Sequence, residues 1–263
     1  MITSLHSPHV EAVKALLGSR GVKERRERGQ FVVEGPTNVT AALNSKRVKI
    51  ESIYYTEGNL ERLGSFSHPN LIEVSEPVMK AMTDTVTPQG VLAIAMLAKS
   101  SLADIAKLGN IRVAYFWQIQ DPGNAGTVIR AADAFGFDAV VFSDNSVDIF
   151  SPKVIRSSAG SIFQINVIEE ISTSELQNWA GENGIEIFAT KTAGEIQLKE
   201  AAASVSTKAS IWVFGNEARG LPSNVESELK ARTISIPMTG NAESLNLATA
   251  ASVVMYAVSN ADK

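Results

Sequence analysis

The chain lacks cysteine entirely. Disulfides, thiolate zinc sites and a cysteine nucleophile are therefore excluded. Long apolar runs are also missing, because stretches such as residues 91–98 are far too short to cross a bilayer. The N-terminal sequence MITSLHSPHVEAV lacks the apolar core of a signal peptide. These absences predict a cytoplasmic protein without a membrane segment.

Familiar nucleotide and metal signatures are missing as well. No G-x-G-x-x-G follows a predicted strand and no G-x-x-x-x-G-K-[ST] occurs, so the usual dinucleotide fingerprint and the P-loop are excluded. Of the three histidines, His6 and His9 lie beside Pro8, and His68 lies in a predicted loop. Surface polar roles suit them better than a metal site or a Ser-His-Asp triad. We therefore predict no metal.

Charge is modest in total and uneven along the chain. The net charge is −4, and residues 101–263 carry 12 basic against 18 acidic side chains. Residues 14–30 instead contain six basic side chains and only two acidic ones. The cations are Lys14, Arg20, Lys23, Arg25, Arg26 and Arg28. This stretch is either a patch that attracts a phosphate backbone or a solvated helix face in which Glu24 and Glu27 make i,i+3 ion pairs.

Hydrophobic periodicity predicts two α/β domains in a soluble globular protein of 263 residues, 44% of them hydrophobic. The first domain is predicted over residues 1–98, with helices at 10–17, 36–45 and 77–82 and strands at 30–34, 49–55, 71–74 and 91–97. Residues 99–110 are predicted to be a linker with a little helix. The second domain is predicted over residues 111–263, with strands at 113–119, 139–142, 163–167, 185–189, 211–214 and 233–236 and helices at 125–135, 151–158, 174–183, 224–231 and 244–258. Its apolar strands, separated by helices, favour a mostly parallel sheet covered on both faces.

Three segments of the second domain share one design, in which an apolar strand is followed by a loop rich in Gly and Asn and then by a helix. They read RVAYFWQIQDPGNAGTVIRAAD, SIWVFGNEARGLP and ISIPMTGNAESLNLATAASVVMYA. In open α/β sheets, ligands bind beyond the carboxyl ends of the strands, where such loops expose backbone N–H groups. We therefore expect these three loops to form one site.

Each loop carries polar residues that can also be explained more simply. Asn124 is predicted to cap a helix that presents Arg130 two turns later. Glu217 lies at the tip of a glycine-bracketed loop. Ser244 is predicted to cap the last helix, with Asn246 in its first turn. Helix caps and solvated charges would explain any one segment alone, but three of them in one domain indicate function.

Taken together, NAGTVIRAADAFGFDAVVF, FGNEARGLP and IPMTGNAESLNLATAASVVMYA resemble the three motifs of the SpoU family of RNA 2′-O-ribose methyltransferases. The segment SVDIFSPKVIRSSAGSIFQINV between the first two also resembles that family. The N-terminal RGQFVVEGPTNVTAAL resembles the L30e-like substrate-binding domain that precedes the catalytic domain in the ribosomal-RNA branch.

The resemblance implies a C-terminal α/β fold with a deep trefoil knot, S-adenosylmethionine (AdoMet) as methyl donor without a metal, and a homodimer. It implies an AdoMet pocket formed by the second and third motifs, comprising Gly215, Asn216, Glu217, Gly220, Leu221, Ile236, Met238, Ser244, Leu245 and Asn246. The implied catalytic residues are Arg130, Asn124, Glu217, Ser244 and Asn246. Because a guanidinium stays protonated in proteins, stabilising a developing alkoxide or orienting a phosphate suits Arg130 better than acting as a base.

The implied function is methyl transfer from AdoMet to a ribose 2′-hydroxyl of RNA, and the separate N-terminal domain favours 23S ribosomal RNA. We expect that domain to dock the RNA through Arg20, Lys23, Arg25, Arg26 and Arg28. Two alternatives stay open: methylation of a transfer RNA ribose, and a non-catalytic RNA-binding ribosome-assembly protein. The intact motif residues argue against the second. A generic nucleotide-binding α/β protein is disfavoured by the missing nucleotide fingerprints.

Overall fold

The computed structural model describes residues 1–18, 20–68 and 70–261. Ser19, Pro69, Asp262 and Lys263, which the predicted domain ranges include, lie outside the described residues. The chain divides into two compact units. The N-terminal unit comprises Met1–Ala98 and Asp148–Gln164, and the C-terminal unit comprises Lys99–Val147 and the chain from Ile165 onward. The segment Asp148–Gln164 thus groups with the N-terminal unit, although the predicted boundaries assign it to the second domain.

Helices and strands alternate along the chain. The helices are α1 (Pro8–Ala15), α2 (Gly21–Arg28), α3 (Pro36–Asn44), α4 (Glu76–Ala81), α5 (Leu102–Ile105), α6 (Pro122–Ala134), α7 (Pro152–Ser157), α8 (Thr173–Asn183), α9 (Leu198–Ser204), α10 (Ser223–Leu229) and α11 (Leu247–Ser259). The strands are β1 (Phe31–Glu34), β2 (Val48–Tyr55), β3 (Leu71–Glu73), β4 (Val91–Leu97), β5 (Arg112–Phe116), β6 (Ala139–Phe142), β7 (Asn166–Ile168), β8 (Glu186–Thr190), β9 (Ile196–Gln197), β10 (Ser210–Phe214) and β11 (Arg232–Ser235). Within the described residues, no helix combines the length and apolar character needed to cross a membrane.

The N-terminal unit is built on a four-stranded sheet of order β1–β4–β2–β3. Strand β4 runs antiparallel to β1 and β2, and β3 runs parallel to β2. Val10 and Val13 of α1 and Val78 of α4 pack with Val32 and Leu92 of the sheet. This buried apolar cluster gives the unit a core of its own.

Two ion pairs hold the segment Asp148–Gln164 within the N-terminal unit. Arg25 donates from Nε to Asp148 Oδ2 at 2.8 Å, and Arg156 donates from Nη1 to Glu34 Oε2 at 3.3 Å. Arg25 and Glu34 are buried. Because a buried charge is costly without a partner, these pairs fix where the segment can pack.

The C-terminal unit contains a seven-stranded sheet of order β7–β6–β5–β10–β8–β11–β9, in which every neighbouring pair is parallel. On one face, Tyr115 and Val213 pack with Leu176 of α8 and Leu229 of α10. The other face carries a row of stacked aromatic rings, formed by Phe142, Phe116 and Phe214. The predicted mostly parallel sheet, buried on both faces, is confirmed. The trefoil knot stays a prediction.

The structure corrects two predicted helix starts. Asp121, not Asn124, is the N-cap of α6, and its side chain accepts from the backbone N of Asn124 at 2.8 Å. Asn246, not Ser244, is the N-cap of α11. Asp and Asn side chains reach the free N–H groups two or three residues ahead, and in both cases the residue at that spacing from the helix takes the role.

Other elements differ from the predicted ones. The short strand predicted at 163–167 is present as β7, but it begins three residues later, at Asn166, because Ser161–Phe163 forms a 3-10 turn. The little helix predicted in the linker is α5, whose capping box joins Ser101 and Asp104. Helix α9 and the short strand β9 were not predicted, since the weakly patterned sequence 196–204 gives no clear period.

Candidate active site

The first loop of the site runs from the end of β5 to α6. Gln118 adopts a left-handed backbone conformation (φ 49°), which is uncommon for a residue other than glycine. Its N–H donates to Ser143 Oγ at 2.7 Å, and its carbonyl oxygen accepts from Gln120 Nε2 at 3.2 Å. These contacts fix the turn that leads into Asp121 and the helix.

The second loop follows β10 and is closed by its own backbone. Asn216 and Gly220 exchange two N–H···O bonds, at 3.0 and 2.9 Å. A Cβ on Gly215 would lie 2.3 Å from the carbonyl carbon of Gly220, and Gly220 itself has φ +64°. Both glycines are therefore required by the close approach of backbone to backbone and by the turn.

Asn216 joins the second loop to the first. Its Nδ2 donates to the carbonyl oxygen of Gln118 at 2.8 Å, while its Oδ1 accepts from the N–H groups of Ala218 and Arg219. Arg219 in turn donates to Gln118 Oε1 at 2.9 Å, and its guanidinium lies 5.6 Å from the centre of the Trp117 ring. Asn216 is buried, so it organises the loops from within.

The Glu217 carboxylate is the main link between the loops. It accepts from the backbone N–H groups of Gln120 and Asp121, the latter at 3.0 Å, and from Asn124 Nδ2 at 3.3 Å. Hydrogen bonds to a carboxylate are among the stronger ones in proteins. Glu217 therefore holds the start of α6 against the second loop, which explains why an acidic residue lies at this loop tip.

Asn246 connects the third loop to the first, and its side chain makes two kinds of contact. Its Oδ1 caps α11 by accepting from Ala248 N at 2.8 Å, and its Nδ2 donates to Asn124 Oδ1 at 3.3 Å. The result is a continuous network, Asn246–Asn124–Glu217, across all three motifs. The structure thus brings together three of the predicted catalytic residues.

A cavity of about 280 Å³ opens beside this network. Its lining residues are Thr190, Lys191, Thr192, Arg219, Gly220, Leu221, Ile236, Met238, Ser244, Leu245 and Ala250. Six of the predicted pocket residues are among them, whereas Gly215, Asn216, Glu217 and Asn246 are not and instead shape the loops. Small-molecule sites begin at about 300 Å³ and combine apolar walls with a few polar groups. The cavity offers apolar side chains that suit an adenine ring, together with exposed loop backbone. This lining fits AdoMet.

Arg130 and Ser244 stand apart from the network. Arg130 lies on the exposed side of α6, and its side chain makes no hydrogen bond to a described residue. Ser244 is exposed and faces the cavity. Across residues 1–18, 20–68 and 70–261, no group of three or more His, Asp or Glu side chains is placed to hold a metal ion.

The predicted RNA-binding cations divide into exposed and buried ones. Arg20, Lys23, Arg26 and Arg28 are exposed on or beside α2. Arg25 is only 4% exposed and is engaged by Asp148 and by the carbonyl oxygen of Leu16. The prediction that Arg25 contacts RNA is therefore corrected. Its guanidinium is buried inside the N-terminal unit and stabilises the packing there.

The exposed cations of α2 also make ion pairs along the helix. Lys23 pairs with Glu27 at 3.7 Å and Arg28 with Glu24 at 2.8 Å. The spacing is i,i+4 rather than the predicted i,i+3. The two readings of this stretch are thus compatible, because exposed pairs are weak and can open toward a stronger anion.

Several site residues escaped the sequence analysis. Gln118 and Asp121 lie in the first motif but carry no signal beyond being polar. Thr190 ends β8 and residues 191–192 follow it. The sequence predicts this strand, so the rule that strand ends carry the site would have found them. The coupling of Arg219 to Trp117 depends on tertiary contacts and has no sequence signal.

A parallel α/β sheet whose strand ends carry three interlocked loops is the architecture that the motif resemblance implies. Residues 112–256 match the SpoU rRNA methylase family, and residues 8–93 match the MRM3-like substrate-binding domain. The chain belongs to the SpoU rRNA methylase family.

Two curated relatives extend across both units. The chain is 33% identical to the 23S rRNA (guanosine(2553)-2′-O)-methyltransferase RlmP of Bacillus subtilis, over 89% of this chain and 90% of that one. It is 28% identical to the 23S rRNA (uridine(2479)-2′-O)-methyltransferase of Streptomyces viridochromogenes, over 92% and 86%.

Solved structures agree with these relatives. The SpoU methyltransferase AviRb from Streptomyces viridochromogenes has a TM-score of 0.84 at 25% identity, covering 96% of both chains. An rRNA methyltransferase from Sinorhizobium meliloti has a TM-score of 0.83 at 30% identity, covering 98% of this chain and 96% of that one. Both also have AdoMet-bound structures. The predicted family and methyl donor are confirmed: the protein is an AdoMet-dependent RNA methyltransferase.

Proposed function

We propose that this chain methylates a ribose 2′-hydroxyl of 23S ribosomal RNA. RlmP and the Streptomyces enzyme, which align with most of the chain, are named for that reaction. The observation that carries the proposal is the Asn246–Asn124–Glu217 network beside the cavity, because it fixes the three loops between which donor and acceptor must meet.

The chemistry requires positioning above all. AdoMet, when bound, supplies an electrophilic methyl group on a sulfonium. The 2′-oxygen forms the new O–C bond as the C–S bond breaks, and its proton leaves to solvent or to a nearby acceptor. Leu221, Ile236, Met238 and Leu245 exclude water from the donor side, and a dry, in-line arrangement accounts for most of the acceleration.

The proposed roles of the polar residues follow from charge. Arg130 stabilises the developing alkoxide or orients the adjoining phosphate. Asn124, Glu217 and Asn246 hold the loops, and Ser244 contributes its hydroxyl to the cavity wall. Because the Arg130 side chain is exposed and makes no hydrogen bond to a described residue of its own subunit, it can serve a site that a second subunit completes.

We further propose a homodimer formed through the C-terminal unit. Five large apolar side chains are exposed among the described residues of this unit, namely Leu108, Met238, Leu245, Val253 and Tyr256, and two of them, Met238 and Leu245, line the cavity. Mixing Arg130→Ala subunits with Glu217→Ala subunits tests whether the sites are shared. Recovered methyl transfer in the mixture supports shared sites, whereas no recovery supports sites that each subunit builds alone.

RNA docking is assigned to the N-terminal unit in this proposal. Arg20, Lys23, Arg26 and Arg28 offer exposed cations to the phosphate backbone, and affinity should fall steeply with salt. Arg25 is left out because it is buried. The catalytic domain is proposed over residues 111–263, and the site of action is proposed to be the cytoplasm.

The test is methyl transfer from labelled AdoMet to total cellular RNA, followed by nuclease mapping. Alkali-resistant label in the large ribosomal RNA supports the proposal and identifies the nucleotide. Label in transfer RNA would overturn the ribosomal target. Failure to bind AdoMet would revive a non-catalytic assembly role.

A further inference from the structure

A second and larger cavity lies within the N-terminal unit. It measures about 730 Å³, and we call it the β2 groove. Its lining residues are His9, Ala12, Arg28, Gln30, Lys49, Ile50, Glu51, Ser52, Tyr54, His68, Asn70, Ile72 and Ile94. Most of them come from α1, the end of α2 and strands β2, β3 and β4, while Gln30 precedes β1 and His68 and Asn70 precede β3. The methyl-transfer site uses none of them.

The groove forms at the edge of β2. Strand β3 pairs with Ile53–Tyr55, and among the described residues no strand pairs with the first half of β2 on that side. Side chains cover this edge instead: His68 Nε2 contacts the carbonyl oxygen of Ile50 at 3.0 Å, and Asn70 Nδ2 donates to that of Glu51 at 2.8 Å. The register of β2 against β4 shifts at this point, and such a bulge turns side chains out of the regular alternation.

The His68 imidazole has a defined tautomer. The N–H of Asn70 donates to His68 Nδ1 at 3.1 Å, so the ring proton lies on Nε2 and bonds the Ile50 carbonyl. With the amide nitrogen of Asn70 also engaged by Glu51, its Oδ1 is left as an acceptor without a partner among the described residues. The groove wall therefore presents polar groups that are held by hydrogen bonds.

The rim and floor of the groove differ in chemistry. Lys49 is exposed and makes no ion pair with any described residue, and Arg28 approaches from the end of α2. Glu51 accepts a hydrogen bond from Gln30 through one carboxylate oxygen, and its other oxygen accepts none from a described residue. The floor includes Ile72 and the almost fully buried Ile94. Cations beside an apolar floor with carboxylate and amide acceptors match a nucleotide, which has a phosphate, a flat base and N–H groups on its edge.

We propose that the β2 groove binds one unpaired nucleotide of the RNA substrate. Its base lies on the apolar floor with its edge toward Glu51 and Asn70, and its phosphate meets Lys49 and Arg28. A paired base is stacked inside its duplex, whereas an unpaired base can leave the stack and enter a groove. The inference rests on the proposed function only in taking RNA as the ligand.

The experiment measures fluorescence anisotropy of a labelled single-stranded RNA hexamer of mixed sequence, with the full-length protein and without AdoMet. Lys49→Glu is expected to raise the Kd by at least about tenfold, since it reverses a phosphate-facing charge. Ala12→Phe fills the groove without changing charge and is expected to weaken binding by a similar factor. Lys80→Glu, an exposed lysine on α4 outside the groove, is the matched control and should leave the Kd within about twofold.

Three results would overturn the proposal that the β2 groove binds an unpaired nucleotide. One is a loss with Lys49→Glu but not with Ala12→Phe, which indicates surface electrostatics only. Another is equal binding of the hexamer and of its duplex with a complementary strand, and the third is an equal loss with Lys80→Glu. Thermal melting of each variant shows that it is folded. A protein that binds the hexamer as expected but methylates no RNA would refute the proposed function and leave the groove standing.

Discussion

The role that the sequence predicts for Arg25 differs from the role that the structure shows. The sequence places it in a run of cations with no feature that separates it from Arg26 or Arg28. In the fold, Gly21 lies against it, and its guanidinium bonds Asp148 and the carbonyl oxygen of Gly18. Its partner is 123 residues away in sequence, so no local pattern could have predicted the burial.

Arg25→Ala should destabilise the protein strongly. Removing the guanidinium leaves Asp148, whose side chain is 12% exposed, without its partner, and breaking a buried pair this way costs about 3–5 kcal/mol. Lys23→Ala removes only an exposed pair of the same helix and should cost less than about 1 kcal/mol. Urea unfolding followed by circular dichroism measures both. Similar losses in the two variants would contradict a structural role for Arg25.

Glu217 is the residue whose removal should most disturb the site without disturbing the core. Glu217→Ala frees the N–H groups of Gln120 and Asp121 and the Asn124 amide. Displacement of reacting groups by about 1 Å can lower a rate by about 10²-fold, so kcat should fall by about that factor. Glu243→Ala is the control, because Glu243 is another exposed carboxylate of the same unit and makes no hydrogen bond or ion pair with a described residue. Methyl-transfer rates at saturating AdoMet decide between them.

At the scale of elements, the loop after β10 depends on an absent side chain. In Gly215→Ala the new Cβ would meet the backbone of Gly220 and Leu221, at 2.3 and 2.4 Å. Backbone cannot yield as a flexible side chain can, so we expect about 1–3 kcal/mol of destabilisation and weaker AdoMet binding. Gly240→Ala is the matched control, because its Cβ would meet nothing within 4 Å. Calorimetric AdoMet titration that finds both variants unchanged would contradict the close-packed loop.

Strand β5 contributes a pH-dependent contact. Tyr115 is fully buried, and its hydroxyl donates to the carbonyl oxygen of Ile171 at 3.0 Å. Burial, aided by the nearby charge of Asp144, raises the pKa of Tyr115 well above its usual value near 10. Above that pH the unfolded chain loses this proton while the folded chain keeps it, so the free energy of unfolding falls.

The Tyr115 contribution is therefore complete below pH 10 and declines above it, by at most about 1.4 kcal/mol per pH unit. Tyr115→Phe lacks the titrating hydroxyl and should lose less stability between pH 8 and pH 11, although it starts about 1–2 kcal/mol lower because the Ile171 carbonyl loses its donor. Urea unfolding at the two pH values provides the measurement. Equal losses in both proteins would show that burial does not raise the pKa of Tyr115 in the folded state.

Elements themselves were largely predictable where they are strongly apolar. The strands predicted at 91–97 and 211–214 lie within one residue of β4 and β10 because turn signals bound both. Helix starts were harder, since Ser244 and Asn246 are both good caps and the sequence does not say which of them the chain brings to the helix axis. The three motif loops were located, but their hydrogen-bond partners were not.

At the scale of the whole molecule, strand order differs from chain order in ways the sequence does not specify. Strand β10 lies between β5 and β8, and β11 lies between β8 and β9. This order places the ends of β5 and β10 side by side, so the Gln118 and Asn216 loops can bond directly. Parallel α/β reasoning predicted one site at the strand ends, but only the insertion of β10 makes its first two loops immediate neighbours.

The exposed apolar residues of the C-terminal unit lead to the last prediction. Tyr256 is 58% exposed and Val253 38%, both on α11, which packs against α6 where Arg130 lies. Exposed apolar side chains clustered on one helix favour self-association. Sedimentation equilibrium should find the wild type dimeric and Tyr256→Glu shifted toward monomer, because a carboxylate would be buried without a partner. Val86→Glu, at a 92% exposed apolar residue of the N-terminal unit, should remain dimeric. A monomeric wild type would refute the dimer, whereas a Tyr256→Glu monomer that binds AdoMet but no longer transfers methyl would place residues of both subunits in one site.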